Sequence, residues 1–264
     1  MIKTLRQFAK YECLALRELD PSDFVRRRWQ MLRNRLNRDA IFIHIPKTAG
    51  VSVLSVIERN GGMVIVPRYH TLASLNEREN IRRFFENRGI VSFNHISLPS
   101  VLEAGFLNRE YLQRAWKFTF VRNPFDRAVS LYSFLINDKI GVLLPTTKFS
   151  IFCSYLEQNA YEPIGFYNRR GLSQLNPQVA WLRNADGTFL CDFVGKFENL
   201  TQDFNHICNT LKLSTGVNGL PWENRTLHLP LQSYYSDREI EIVAKVYAED
   251  FARFGYDPSR LPEK

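Results

Sequence analysis

No stretch of the 264 residues approaches eighteen consecutive apolar positions, so no segment reads as a membrane-spanning helix. The first thirty residues hold Asp20, Asp23 and several arginines where a secretory leader would carry an apolar core. The expectation is a cytoplasmic chain, at most peripheral to a membrane, with no signal peptide or transmembrane segment. Cysteine is scarce. Cys13, Cys153, Cys191 and Cys208 are widely spaced, sit mostly in apolar segments and form no Cys-x-x-Cys pair. They read as reduced core or helix residues, one long-range disulfide being left open, and no ligand spacing supports a zinc site built from them with His95 or His206. No Gly-x-x-x-x-Gly-Lys-Ser/Thr loop is present, which disfavours an ordinary nucleotide triphosphatase. Zinc-finger, aromatic-platform and helix-turn-helix patterns are also missing, which argues against a nucleic-acid partner.

What the chain does carry is positive charge, unevenly placed. The formal balance is +8, and residues 1–40 hold ten Lys or Arg against five acids, with six arginines between Arg26 and Arg38. Residues 1–39 read as a basic helical extension, suited to an anionic membrane surface or an acidic glycan, or simply to solvent. The remaining length suffices for one large core, and an apolar content of 45% is ordinary for a globular protein.

Two later stretches look like halves of one phosphate site. In Ile41-Phe-Ile-His-Ile-Pro-Lys-Thr-Ala-Gly-Val-Ser52 a β-branched and aromatic run is stopped by Pro46, and Ala49 and Gly50 leave the backbone uncrowded where a helix begins. Backbone N–H groups of residues 47–52, the hydroxyls of Thr48 and Ser52, and Lys47 can converge there on an anion. In Phe118-Thr-Phe-Val-Arg-Asn-Pro-Phe-Asp-Arg-Ala-Val-Ser130, Asn123 is placed to cap a helix, Pro124 fits its first position and Asp126 that of a capping-box carboxylate. Arg122 offers a rigid fork and Ser130 a hydroxyl to one phosphate. Arg127 is read as facing solvent or pairing with Asp126 or Asp138.

Together these segments resemble the sulfotransferase family 2 group, the carbohydrate and glycan sulfotransferases that use 3′-phosphoadenosine 5′-phosphosulfate (PAPS). The likeness extends to Phe193-Val-Gly-Lys-Phe-Glu-Asn-Leu200 and to a tail from Tyr234 to Tyr256. It implies that Lys47, Thr48, Ala49, Gly50, Val51 and Ser52 hold the 5′-phosphosulfate. By the same likeness Arg122 and Ser130 hold the 3′-phosphate, and the product is 3′,5′-adenosine bisphosphate. Lys196, opening the Lys-Phe-Glu-Asn stretch after a strand, is positioned to approach the nucleotide, with Glu198 structural. No metal is required by this scheme.

Strand-like and helix-like runs alternate. Strands are expected over 41–45, 63–66, 90–93, 116–121 and 192–195. Helices are expected over 50–60, 76–87, 108–114, 124–136, 200–212 and, as one long element, 237–254. This predicts an α/β fold with a central, mainly parallel sheet flanked by helices, P-loop-like, its sites at the carboxyl ends of the strands. The sulfotransferase-like domain spans 40–257, with an irregular insertion at 137–190 as the acceptor-binding part, and 258–264 form a tail.

Sulfuryl transfer to an alcohol needs a held donor, a positive centre and a base. Lys47 is the choice for the positive centre. Among five histidines, His95 directly follows a strand and matches the family segment in which a Gly-His pair supplies the base, with Asn94 in place of the glycine. His70 is the second candidate for base or acceptor contact, and His44 is read as packed or supporting. A histidine base predicts turnover falling below about pH 6–7. Leu175-Asn-Pro-Gln-Val-Ala-Trp-Leu182 resembles a family segment lying near the acceptor, with Ala180 close to a position where a basic residue is common. The expectation is either a less anionic acceptor or an arginine supplied elsewhere, from Arg169, Arg170 or Arg183. Tyr155, Tyr161, Tyr167, Trp181 and Trp222 are read as sugar-stacking or core aromatics. The Asn224 to His228 loop matches the family loosely and receives no role. The function so implied is transfer of a sulfuryl group to a hydroxyl of a sugar, glycan or glycolipid. The alternatives are an atypical phosphotransferase and a non-catalytic polyanion-binding protein.

Overall fold

The computed structural model describes residues 38–59, 64–65, 90–93, 95–103, 107, 109–137, 143–161, 173–184, 186–213 and 229–263. Outside them lie the basic extension as far as residue 37, the expected helix 76–87, His70, Asn94, Tyr167, Arg169, Arg170, Trp222 and His228. In chain order the elements are β1 (Ala40–Ile43), α1 (Gly50–Arg59), β2 (Val64–Ile65), β3 (Ile90–Ser92), α2 (Leu98–Glu103), α3 (Arg109–Arg114), β4 (Trp116–Val121) and α4 (Pro124–Asn137). There follow α5 (Phe149–Asn159), β5 (Phe193–Lys196), α6 (Leu200–Leu211), α7 (Asp237–Val246) and α8 (Ala248–Phe254), with short 3₁₀ turns between some of them.

β1 and β4 are buried at every position, as strands covered on both faces must be. The sheet order is β2-β3-β1-β4-β5 and every pair is parallel. Register places Ile43 beside Thr119 and Val121 beside Lys196, so the chain leaves β1, β4 and β5 at one edge of the sheet. The connections from β1 and β4 diverge there, which is where open α/β sheets form their binding crevice. On one face Phe42, Phe118 and Phe120 pack against Val53 and Ile57 of α1 and Phe204 and Ile207 of α6. On the other, Ile41, Ile43, Val91 and Val121 meet α2, α3 and Trp181. A third cluster joins α4, α5, α7 and α8 through Phe125, Val129, Phe152, Val243 and Phe251. Gly195 lets the Phe120 ring lie across β5, since a Cβ there would stand 2.6 Å from that ring.

Three local expectations change. The long helix 237–254 is two helices broken at Tyr247, whose φ of −106° and ψ of 25° leave the helical region. Its buried hydroxyl donates to the Leu175 carbonyl at 2.9 Å. Within the stretch read as irregular, Phe149, Phe152, Cys153 and Leu156 give α5 a buried face at helical spacing. A short α2 follows β3 that the sequence pattern did not announce. Cys153, Cys191 and Cys208 are free thiols pushed by burial to about 12, about 12 and about 11, while Cys13 lies outside the described residues. No described helix is long and apolar enough to cross a membrane.

Candidate active site

The loop between β1 and α1 is built from unusual backbone. Lys47 and Ala49 both take left-handed angles, with φ of 69° and 68°. Each such non-glycine residue costs roughly 1–2 kcal/mol, and the surrounding packing must hold it. Left-handed residues in a tight turn aim successive N–H groups into one concavity, which is an anion nest. The Thr48 hydroxyl donates to the Ile45 carbonyl at 2.9 Å, so Thr48 contributes to the nest through its backbone while its side chain fastens the turn. Ser52 is buried in the first turn of α1, and Val51 points outward. The Lys47 ammonium stands 4.6 Å from the centre of the Phe134 ring of α4, which brings the second motif's helix beside the first motif's cation.

At the second break, Asn123 caps α4 as expected, its Oδ1 accepting the Phe125 N–H at 2.9 Å. The capping-box role falls elsewhere. Glu198 accepts the Asn123 N–H at 2.7 Å, while Asp126 pairs with Arg122, its Oδ2 2.7 Å from both Nε and an amino group. The Arg122 guanidinium stacks on Phe197 at 4.2 Å, and its other amino group lies 3.5 Å from the Lys47 carbonyl. Ser130 is buried two turns into α4.

Arg127 overturns the expectation of a solvent-facing side chain. It is wholly buried and donates to the carbonyls of Pro46 at 3.2 Å, Asn176 at 3.1 Å and Gln174 at 2.8 Å. A guanidinium can be buried when its planar fork is matched by fixed acceptors, and three main-chain oxygens supply the match. The Asn176 to Leu182 segment is therefore bound to the second motif. Gln178, fully buried, accepts the Arg122 N–H and donates to the Arg122 carbonyl, both at 2.9 Å. The Asp250 carboxylate in turn accepts the N–H groups of Gln178 and Val179 at 2.8 and 2.9 Å. Burial raises the Asp250 carboxyl, and nearby Arg127 opposes that rise.

Lys196 ends β5 at the same edge. Its ammonium lies 4.6 Å from the centre of the Tyr256 ring, and the Tyr256 hydroxyl donates to Glu198 at 2.9 Å. Trp181 is a core residue donating its indole N–H to the His95 carbonyl, not a sugar platform. Tyr155 packs in the helical cluster, and Arg183 is engaged with Glu249.

His95 stands beside the first loop. Its Nδ1 is 3.2 Å from the His44 carbonyl, and the two rings are 4.3 Å apart. In the neutral ring that bond places the proton on Nδ1 and the lone pair on Nε2, the tautomer a base requires. Burial lowers its pKa to about 4, with Lys47 and Arg127 adding to the depression and the His44 hydrogen bond opposing it.

A family model described as the sulfotransferase family matches residues 36–257. The chain belongs to the sulfotransferase family. Among solved structures the fold is similar to that of mouse sulfotransferase SULT7A1 complexed with PAP, at 14% identity and a TM-score of 0.52, covering 81% of this chain and 85% of that one. A sulfotransferase from Alicyclobacillus acidocaldarius aligns at 18% identity and a TM-score of 0.49 over 83% of this chain and 97% of that one. No curated protein matches by sequence. The general activity of the family is sulfuryl transfer from PAPS.

Sequence reasoning missed four residues that hold the two loops in place: Arg127, Gln178, Glu198 as a cap, and Asp250. A signal existed for Arg127, which lies within the apolar positions of a helix buried around most of its circumference. For Asp250 there was none, because its partners are 71 and 72 positions away.

Proposed function

We propose that this sulfotransferase moves the sulfuryl group of PAPS to a hydroxyl of a sugar, glycan or glycolipid, with Lys47 as the positive centre and His95 as the base. One observation carries the reading: Arg127 and Arg122 of the second motif reach the Pro46 and Lys47 carbonyls of the first, which brings the two loops together and supports reading them as one site. The donor set fits the group it would receive. The left-handed turn at 47–49 with Ser52 suits the phosphosulfate, Arg122 and Ser130 suit the 3′-phosphate, and Lys196 is placed to approach the nucleotide. When bound, PAPS supplies an activated sulfuryl group and a bisphosphate leaving group. Lys47 then offsets negative charge growing on the leaving oxygen, and its flexible stem can follow that charge. His95 takes the acceptor's proton at Nε2, the nitrogen left unprotonated by the bond to the His44 carbonyl. His70 is a proposed acceptor contact, and the basic segment before Asp39 a proposed contact with anionic lipid.

Transfer of labelled sulfur from PAPS to a panel of glycans, glycolipids and small phenols tests this directly. Labelling of glycans or glycolipids is expected, with Lys47→Ala losing most turnover. His95→Ala should lower turnover about 10²–10⁴-fold while 3′,5′-adenosine bisphosphate affinity stays within a few-fold. Arg122→Ala and Ser130→Ala should weaken the bisphosphate by roughly ten- to a hundred-fold, or about 1.5–3 kcal/mol, and the 5′-monophosphate much less. Unchanged discrimination between these two ligands in both variants would remove Arg122 and Ser130 from the 3′-phosphate, and labelling confined to phenols would replace the acceptor class.

A further inference from the structure

His44 has so far lent only its carbonyl to the site, yet its ring lies between those of Phe42 and His95. Trp116, Phe118, Phe42 and His44 form a column of rings with centroids 5.4, 5.1 and 5.6 Å apart, and the His95 ring continues it 4.3 Å beyond. Phe42 and His44 are two apart along an extended chain, which puts them on one face. That face is covered by the start of α1. A Cβ built on Gly50 would stand 1.9 Å from Cδ2 and 2.0 Å from Nε2 of His44, distances no side chain tolerates. Gly50 does not adopt a positive φ, unlike Gly187 and Gly255. Glycine is needed at position 50 because of the imidazole beneath it, not because of a backbone angle.

The ring is also kept at a cost. His44 is buried, and among the described residues its Nδ1 has no hydrogen-bond partner. A buried ring nitrogen without a partner is disfavoured against an apolar group of similar shape. The ring nevertheless fills the contact between the donor loop and His95.

We propose that His44 is a positioning residue for sulfuryl transfer. Its imidazole sets the height of the α1 start above the sheet, and so sets where Lys47 and the loop amides stand relative to His95. This rests on the donor and base roles proposed above. In this account the loop, the glycine and the histidine pair are one packing unit. Filling position 50 lifts the loop, and emptying position 44 lets it settle toward the sheet.

A double-mutant cycle between His44→Ala and Gly50→Ala tests the unit. Gly50→Ala alone should weaken 3′,5′-adenosine bisphosphate by about thirty-fold or more and lower the thermal midpoint. His44→Ala should leave bisphosphate affinity within about five-fold while reducing kcat roughly ten- to a hundred-fold, with KM for a soluble acceptor nearly unchanged. His44→Gln, which keeps a polar nitrogen near Nε2, should recover part of that kcat. The double variant should regain most of the affinity and midpoint lost by Gly50→Ala. Additive losses in affinity and midpoint would overturn the contact, and a normal kcat in His44→Ala would overturn the positioning role. Failure of the wild-type protein to bind the bisphosphate or transfer label would instead strike the functional reading, while the coupling would still register in the thermal midpoints.

Discussion

Arg127→Ala should be among the most damaging single changes in the protein, although the residue touches no proposed substrate. The side chain is wholly buried, so its removal leaves three main-chain carbonyls, at Pro46, Gln174 and Asn176, without their donor. Each orphaned buried acceptor costs about 1–3 kcal/mol, and the losses do not add fully because the neighbours relax together. The change also removes the cation that opposes the burial-raised Asp250 carboxyl, and the guanidinium 5.9 Å from the Trp181 ring centre and 5.5 Å from that of Tyr247. A net loss of about 3–5 kcal/mol is therefore expected, a large share of the roughly 5–15 kcal/mol by which domains are stable. In a chain of this size that corresponds to a fall in Tm of roughly 6–20 °C. Arg127→Lys keeps the charge but cannot span three acceptors, and should fall between wild type and alanine. Urea unfolding at neutral pH measures the loss, with bisphosphate calorimetry on the folded fraction. A loss under about 1 kcal/mol in Arg127→Ala would refute the reasoning that this guanidinium ties the first loop to the second.

Two other expectations concern backbone strain and pH. Ala49→Gly should raise stability by up to about 1 kcal/mol, because relief of a left-handed alanine at φ 68° outweighs the added freedom of the unfolded chain, while Ala49→Val should lower it; a lower thermal midpoint in Ala49→Gly would show the turn to be unstrained. With its pKa lowered to about 4, His95 stays neutral well below the range of a free imidazole, so kcat/KM should remain level down to about pH 5 and fall only as pH nears 4. This replaces the fall below about pH 6–7 expected from sequence. The same depression makes the unfolded chain the stronger proton binder. Stability from His95 is complete above about pH 6.5 and drains away as pH falls toward 4, by up to about 3 kcal/mol, with buried His44 acting in the same direction. Urea unfolding between pH 4 and 8 reads this, and a flat or rising profile toward acid would contradict it.

The parts legible in the sequence were those encoded locally. The apolar run 116–121 gave a buried strand with the same bounds, and Asn123-Pro124 marked the start of α4, whereas β1 ends at Ile43, short of Pro46. His95 was placed by its distance from a strand. What the chain did not reveal depends on partners far away in sequence. Asp126 sat at a capping-box position but found Arg122 a better partner, because Glu198 arrives from β5 to take the Asn123 N–H. Tyr247 looked like one more helical residue, and its side chain is instead tied across the fold to the Leu175 carbonyl, 72 positions away. The Asn176 to Leu182 segment carried a family resemblance toward the acceptor, yet Gln178 binds the backbone of Arg122.

The clamp that Gln178 forms on Arg122, itself held by Asp250, has a consequence for biosynthesis. Arg122 and Gln178 are 56 residues apart, Gln178 and Asp250 a further 72, and Arg127 reaches back 81 to Pro46. Contacts of such separation must wait for loop closure, and parallel sheets are slow to assemble for the same reason. During synthesis both anion loops emerge before Asp250, the group that holds Gln178 against the second one. The second loop therefore takes its clamped form only after α8 has been made and has docked against the Gln178 turn.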